Sequence, residues 1–401
     1  MNIERLQPLA STGQSKIVLV VLDGLGGLPI EPGGKTELET ANTPAMDRLA
    51  AEGICGLHVP VASGITPGSG PGHLGVFGYD PLRYEVGRGV LAALGVGFDL
   101  HPGDIAARGN FCTVDDGGTV TDRRAGRIDT ETNRTLCEKL RDIQLPGAEL
   151  FIETIKEHRF LLVLRGEGLG AAVDDTDPQQ TGLQPRPPRA RTQQAQKTAE
   201  IVGVFLDQAR KRLADSAPAN MVLMRGFDER PQWPQFGDIY GLRAGALASY
   251  PMYRGLARLI GMEIIGDPHD KDEEVELLRS SYEQYDFFFV HLKHTDSSGE
   301  DGDFERKVRA TEDADTMVAA IHELSPDVLV VTGDHSTPSA LRSHSWHPVP
   351  VVLWSKYCRP DSVTTFGERA CIAGALGPRL PACELLPLAV ANALRLRKFG
   401  A

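Results

Sequence analysis

Three apolar runs far apart in the chain, IVLVVL at 17–22, FFFV at 287–290 and VLVV at 328–331, are unbroken by polar residues and rich in β-branched or aromatic side chains. A strand covered on one face alternates apolar and polar residues, whereas a strand covered on both faces reads as a continuous apolar run. The runs therefore predict the centre of a mostly parallel sheet in an α/β fold. Each run leads into an acid: Asp23 in VVLDGLGG, Asp296 in HLKHTDSSGEDGD, and Asp334 with His335 in VVTGDHSTPS. In open α/β sheets, ligands collect just beyond the carboxyl ends of the strands.

Composition limits what such a sheet could serve. The 401 residues carry 42 Lys and Arg against 54 Asp and Glu, a net charge of -12, with no dense basic block, which argues against a nucleic-acid partner. An anionic substrate would need cations concentrated locally, as metal ions or arginine clusters. The six cysteines have no metal-type or disulfide-framework spacing, no apolar run reaches about 18 residues, and the N-terminus lacks a leader-like apolar stretch. A cytoplasmic protein with no membrane association is expected, and self-association is left open.

The chain is long enough for a large core plus a smaller unit. Asn42 and Thr43 are candidate N-caps, with Pro44 in the first turn, for a helix over NTPAMDRLAAEG. The texture changes between residues 106 and 219, where RGNFCTVDDGGTVTD reads as a hairpin, HRFLLVLRGEG as a strand and PQQTGLQPRPPRART as a Pro-rich loop. An α+β domain inserted at 106–219 into a core of 1–105 and 220–401 is expected. MVLMRG and the later runs would resume the parallel pattern, and ACELLPLAVANALRLRKFG would close as a helix.

Several strand ends thus carry ligand-type residues. Hard oxygen and imidazole nitrogen stand adjacent at Asp334 and His335 and suit Mn²⁺, Mg²⁺ or Zn²⁺. HTDSSGEDGDFE offers Asp296, Glu300, Asp301 and Asp303, read as an acidic loop, and HSWHPVPVVL offers His344 and His347 before another buried strand. Any one of these is ordinary loop chemistry. Their conjunction at separate strand ends points to a cation site. Ser69 in TPGSGPGH can cap a helix whose N-terminus would receive a phosphate, and a nearby divalent cation would activate its hydroxyl.

The strings VVLDGLGG, TANTPAMDRLAAEG, TPGSGPGHLGVFGYDP, DRRAGRI, VDDTDP, TDSSGEDGD, VTGDHSTPS and HSWHPVPV together resemble the archaeal-type cofactor-independent phosphoglycerate mutases of the alkaline phosphatase superfamily, nearly end to end. T-P-x-x-D-x-L-A-x-x-G and G-D-H are shared across the superfamily, whereas PGS followed by HLxxFGYDP and D-R-R-A-G-R belong to the mutase branch. The resemblance implies an α/β sandwich core with an inserted domain, two divalent metal ions, and no need for 2,3-bisphosphoglycerate. It implies Ser69 as the phosphorylated nucleophile, Asp23, Ser69, Asp334 and His335 around one metal, and Asp296 and His344 at the other. The sequence departs from the family in having Glu300 where a histidine is usual and His347 where an acid is usual. The two changes look reciprocal, and either Glu300 or His347 is expected to complete the second site.

A mutase must hold its glycerate intermediate and exclude water, which calls for arginine clamps on carboxylate and phosphate. Arg123, Arg124, Arg127, His158 and Arg165 in the insertion are candidates for this role. Arg225 and Arg254 are expected to reach the crevice from the core. Closure of the insertion over the metal face is expected, with Asp175 or Asp177 as the general acid and base. The competing expectations are a phosphotransferase or phosphohydrolase for another small phosphate ester on the same core, or a silent paralogue that only binds metal.

Overall fold

In the computed structural model, which describes residues 3–400, the apolar runs lie at the centre of an eight-stranded sheet. Its strands are β1 (Ile17–Leu22), β2 (Ile54–Val59), β3 (Ala244–Leu247), β4 (Glu263–Ile264), β5 (Phe287–Leu292), β6 (Val328–Thr332), β7 (Val349–Ser355) and β8 (Gly377–Pro381). The order across the sheet is β8-β2-β7-β6-β1-β5-β3-β4. β1 is buried along its whole length and pairs in parallel with both β5 and β6, with Val18 opposite Phe288 on one side and Leu329 on the other. Their carboxyl ends therefore emerge side by side. The departure from parallel pairing is β7, which runs antiparallel to both β6 and β2.

The chain forms two compact units, one of residues 1–85 with 233–401 and the other of residues 86–232. The second unit thus begins and ends outside the 106–219 span read from texture. The run MVLMRG is the reason for the later end. Instead of resuming the parallel core, Met221–Glu229 pairs antiparallel with Ile105–Val114 in a separate five-stranded sheet. An apolar run buried on both faces does not reveal which sheet it joins. Val120–Asp122 and Arg159–Arg165 also pair with Ile105–Val114, and Glu149–Lys156 completes the sheet beside Arg159–Arg165. Helices Thr130–Arg141 and Gln196–Leu213 bury Leu136, Leu140, Val202 and Phe205 in a core that also holds Phe111, Phe160 and Leu223.

In the first unit, the helices that matter for the site are α1 (Pro44–Glu52), α2 (Ser69–Val76), α3 (Pro251–Leu259), α4 (His294–Asp301) and α5 (Phe304–Glu323). Pro44 opens α1 as expected, but Thr43 makes no side-chain cap. The carboxylate of Asp315 from α5 takes the N–H groups of Ala45 and Met46 instead, at 3.0 and 2.8 Å. Ser69 is the first residue of α2 rather than its cap, a place taken by Gly68. The acidic stretch after β5 is helical, not a loop. Asp296 lies in the first turn of α4, where negative charge suits the helix dipole, and Gly302 ends the helix at φ 75°. Asp303 then caps α5 by accepting the Arg306 N–H. The C-terminal helix is Leu385–Asn392, shorter than the closing sequence suggested, and Leu394 follows in the left-handed region at φ 57°.

Candidate metal centre and arginine array

The turns after β1 and β6 bring two acids and an imidazole together. Asp23, Asp334 and His335 are fully buried, and single ligand atoms of the three lie within 4.8 Å of one another. His335 Nε2 stands 3.3 Å from Asp23 Oδ1, 3.2 Å from Asp334 Oδ2 and 3.3 Å from Ser69 Oγ. Asp296, His335 and His344 form a second such group, with His344 Nε2 at 3.4 Å from Asp296 Oδ1. His335 belongs to both groups. Glu300 Oε1 is 3.9 Å from His344 Nε2, and its side chain is more than half exposed. His347 joins neither group. Its Nδ1 is 3.0 Å from Ser345 Oγ, and its ring stacks on Trp346.

Asp23 and Asp296 are held charged in spite of burial. Burial acts to raise the Asp23 carboxyl, but Lys293, His291 and His335 hold it well below the usual range. Asp296 is likewise brought to about 2, against its burial, by the His344 hydrogen bond and by Lys293 and His335. Burial opposes the charge on His344, yet Asp296 and the Pro67 carbonyl lift it to about 9. Lys293 donates to both Asp23 Oδ2 and Asp296 Oδ2, bridging the two groups with one ammonium. Two oxygens, Asp23 Oδ1 and Asp334 Oδ2, are buried without a hydrogen-bond donor. Uncompensated buried carboxylate oxygens are costly, and a divalent cation would satisfy both. The donor set of carboxylates and imidazoles fits Mn²⁺, Mg²⁺ or Zn²⁺.

Lys293, Thr337, Tyr253, His73 and His291 were not singled out from the sequence. Thr337 Oγ1 donates to Asp296 Oδ1 at 2.8 Å and lies 2.9 Å from His335 Nδ1, linking a residue of each group. Tyr253, on α3, donates its hydroxyl to Asp23 Oδ2 and stacks on His291. His73, four residues after Ser69 on α2, places Nδ1 2.8 Å from the Ser69 carbonyl and 3.0 Å from Asp334 Oδ2. The spacing Ser69-x-x-x-His73 on a helix was a usable signal, since i and i+4 share a face. The Lys293–Asp296 and Thr337–His335 contacts are local too, three and two residues apart, whereas those of Tyr253 and His291 with Asp23 join distant segments and leave no local pattern.

Within the second unit, Arg123 grips Asp177 through a fork, Nε to Oδ1 at 3.0 Å and Nη2 to Oδ2 at 2.6 Å. Burial would raise Asp177, but this fork, the Gln179 N–H and Arg225 keep it below the usual carboxylate range. Arg225 Nε lies 3.7 Å from both Asp175 and Asp177, so this arginine belongs to the second unit rather than to the core from which it was expected to reach. In the DRRAGR turn, Ala125, Gly126 and Arg127 all have positive φ, at 47°, 67° and 55°. Asp122 fixes the turn by accepting the N–H groups of Arg124 and Gly126. The turn that carries Arg124 and Arg127 is thus a strained one, held by a dedicated carboxylate. His158 is buried, and burial together with Arg159, Arg124, Arg108 and Arg127 pushes its ring down to about 3. A neutral imidazole among guanidinium groups marks a strongly positive locale. Asp175 lines a cavity of about 350 Å³ with Asp174, Arg186, Pro187 and Arg189.

Two expected members lie outside these clusters. Arg165 is committed to a fork on Asp104 and covers Phe151. Arg254 pairs with Asp267 in the first unit.

A family model for 2,3-bisphosphoglycerate-independent phosphoglycerate mutase matches residues 50–220. The chain is 50% identical to a probable 2,3-bisphosphoglycerate-independent phosphoglycerate mutase of Thermus thermophilus over 99% of its own length and 98% of the relative's. It belongs to this family. A relative so named in Aquifex aeolicus is 47% identical over 99% of each chain. Two solved structures share the fold. The PH0037 protein of Pyrococcus horikoshii is 30% identical, with a TM-score of 0.84 over 97% of this chain and 100% of that one. The cofactor-independent phosphoglycerate mutase of Thermoplasma acidophilum is 29% identical, with a TM-score of 0.70 over 94% and 100%. Among the described residues, no helix is long and apolar enough to cross a membrane.

Proposed function

We propose that the protein interconverts 3-phosphoglycerate and 2-phosphoglycerate without 2,3-bisphosphoglycerate, using Ser69 Oγ as the temporary phosphoryl acceptor. The observation that carries this reading is the position of Ser69 Oγ, 3.3 Å from His335 Nε2 at the point where Asp23 and Asp334 converge. Two divalent cations, Mn²⁺, Mg²⁺ or Zn²⁺, would be held there, one by Asp23, Ser69, Asp334 and His335 and the other by Asp296, His344 and Glu300. Such ions, when bound, favour the serine alkoxide and offset charge on the phosphoryl oxygens.

The remaining steps fall to the chain's own groups. Ser69 opens α2, so the phosphoryl group it receives sits at the positive end of that helix. As the Oγ–P bond forms, the ester bond from phosphorus to the 3-oxygen breaks and the serine proton is released. The departing 3-oxygen takes up a proton. The 2-hydroxyl then gives up its proton and attacks the phosphoserine, which restores Ser69.

Arginine forks suit the substrate carboxylate, and Arg123, Arg124, Arg127 and Arg225 with His158 are the groups proposed to hold it. Asp177, kept ionised by its arginines, serves to orient Arg123. Asp175 faces open space and is the better proton carrier. All six cysteines stand as free thiols, in keeping with a cytoplasmic setting.

The test is an assay with 3-phosphoglycerate and divalent metal in the absence of bisphosphoglycerate. 2-Phosphoglycerate is the expected product, with phosphate trapped on the Ser69 peptide after an acid quench, and Ser69→Ala should abolish both. Release of free phosphate alone, or an active Ser69→Ala protein, would overturn the reading.

A further inference from the structure

The side chain of Lys307, early in α5, is completely buried. Its ammonium donates to three carbonyls, those of Gly24 at 2.9 Å, Gly26 at 2.9 Å and Thr337 at 2.8 Å. The first two belong to the turn after β1, directly beyond Asp23. The third belongs to the turn after β6, two residues beyond His335. We propose that Lys307 is a positioning residue for the metal centre: its ammonium ties these two turns together and so sets the separation of Asp23 from Asp334 and His335.

Taking an ammonium out of water costs several kcal/mol unless its protons are all bonded. An apolar side chain would fill the same space between helix and sheet without that cost. What an ammonium adds is three directed donors, and here each meets a carbonyl of the two turns. The turns also meet directly, since the Thr337 N–H bonds the Gly26 carbonyl at 3.0 Å and the Gly24 N–H bonds Asp334 Oδ1 at 3.1 Å.

Two carboxylates span the same region, Glu37 buried and Glu368 half-buried. Glu37 accepts the Leu28 N–H at 3.2 Å, the Ser339 N–H at 2.8 Å and the Ser339 hydroxyl at 2.6 Å. Glu368 accepts the Gly27 N–H at 2.8 Å and the Thr36 hydroxyl at 2.6 Å. Glu37, Glu368 and Lys307 therefore form a polar seam behind the ligand-bearing turns, bonded to their backbone and hydroxyl groups. Without the ammonium, three carbonyls would lose a buried donor and the turns could part by the fraction of an ångström that metal ligation does not tolerate.

The proposal rests on the metal-centre reading, and the experiment separates the two. Mn²⁺ is titrated calorimetrically into the metal-stripped full chain, into Lys307→Met and Lys307→Gln, and into Val318→Ala. Val318 is a buried core residue of the same helix and serves as a control for general destabilisation. Folded Lys307→Met should bind Mn²⁺ at least about ten-fold more weakly than the parent, with Lys307→Gln between them, while Val318→Ala stays within about two-fold. Folded Lys307→Met that binds Mn²⁺ as the parent does would overturn this proposal alone. Failure of both lysine variants to fold would assign Lys307 to folding and overturn it as well. A parent that binds no Mn²⁺ would remove the metal-centre reading and this proposal together.

Discussion

The imidazole of His344 lies stacked on that of His335, their ring centroids 3.7 Å apart. With Nδ1 of His344 2.9 Å from the Pro67 carbonyl, its Nε2 is turned toward Asp296 and Glu300. His347, three residues on, is turned away toward Ser345 and Trp346. Of Glu300 and His347, Glu300 is the one within reach of the second group.

Glu300→Ala should therefore weaken retention of the second cation by about ten-fold or more, while His347→Ala should leave metal content unchanged. Elemental analysis after gel filtration in Mn²⁺ decides the matter. Parent-like content in Glu300→Ala, with loss in His347→Ala, would reverse the assignment.

Thr337 has a different kind of influence. Because its hydroxyl donates to Asp296 Oδ1, it can only accept from His335 Nδ1, which places a proton on Nδ1 and turns Nε2 toward Ser69. Thr337→Val keeps the shape and removes both contacts. Mn²⁺ affinity should fall by about 10- to 100-fold with little change in thermal stability. Equal affinity in the two proteins would show that the tautomer is set elsewhere.

These assignments show what could be read before the fold was known. The strand-end acids were legible because β1, β5 and β6 are buried on both faces and their runs stop at polar turns. Ligands were thus visible as types at ends of elements. Tyr253 and Lys307 were not, because they act through contacts between segments distant in the chain, and Thr337 and Lys293 were not, although respectively two residues from His335 and three from Asp296, because a lone Thr or Lys carries no periodic signal. The run at 221–229 misled for the opposite reason: its pattern was clear, but pattern does not specify the neighbouring strand. Arg165 illustrates a third limit. Its charge suggested a substrate clamp, while Asp104, 61 positions away, already satisfies its fork.

In the arginine array, Asp177 holds Arg123 in one orientation through two parallel hydrogen bonds. Asp177→Asn keeps one acceptor and loses the charge. If Asp177 orients Arg123 for substrate and does not itself carry protons, KM for 3-phosphoglycerate should rise by about ten-fold with a smaller change in kcat. Arg123→Lys should not behave as parent, since an ammonium cannot form the fork. A fall in kcat at unchanged KM would instead make Asp177 the proton carrier.

Glu274 offers a test of burial apart from the site. On the helix Lys271–Ser281 it is 4% exposed, and its Oε2 has no hydrogen-bond partner. Burial, and then the nearby Asp270, push its carboxyl from 4.5 up to about 8. The folded chain therefore keeps a proton at pH values where the unfolded chain has lost it. The stabilising contribution is complete below the unfolded pKa and disappears as pH rises through about 8. Glu274→Gln removes this titration while keeping the shape. Between about pH 5 and pH 9 the parent should lose on the order of a few kcal/mol more stability than the variant, read as diverging melting temperatures in calorimetry. Parallel melting profiles across that range would mean that water reaches the carboxylate and that it titrates as an ordinary glutamate.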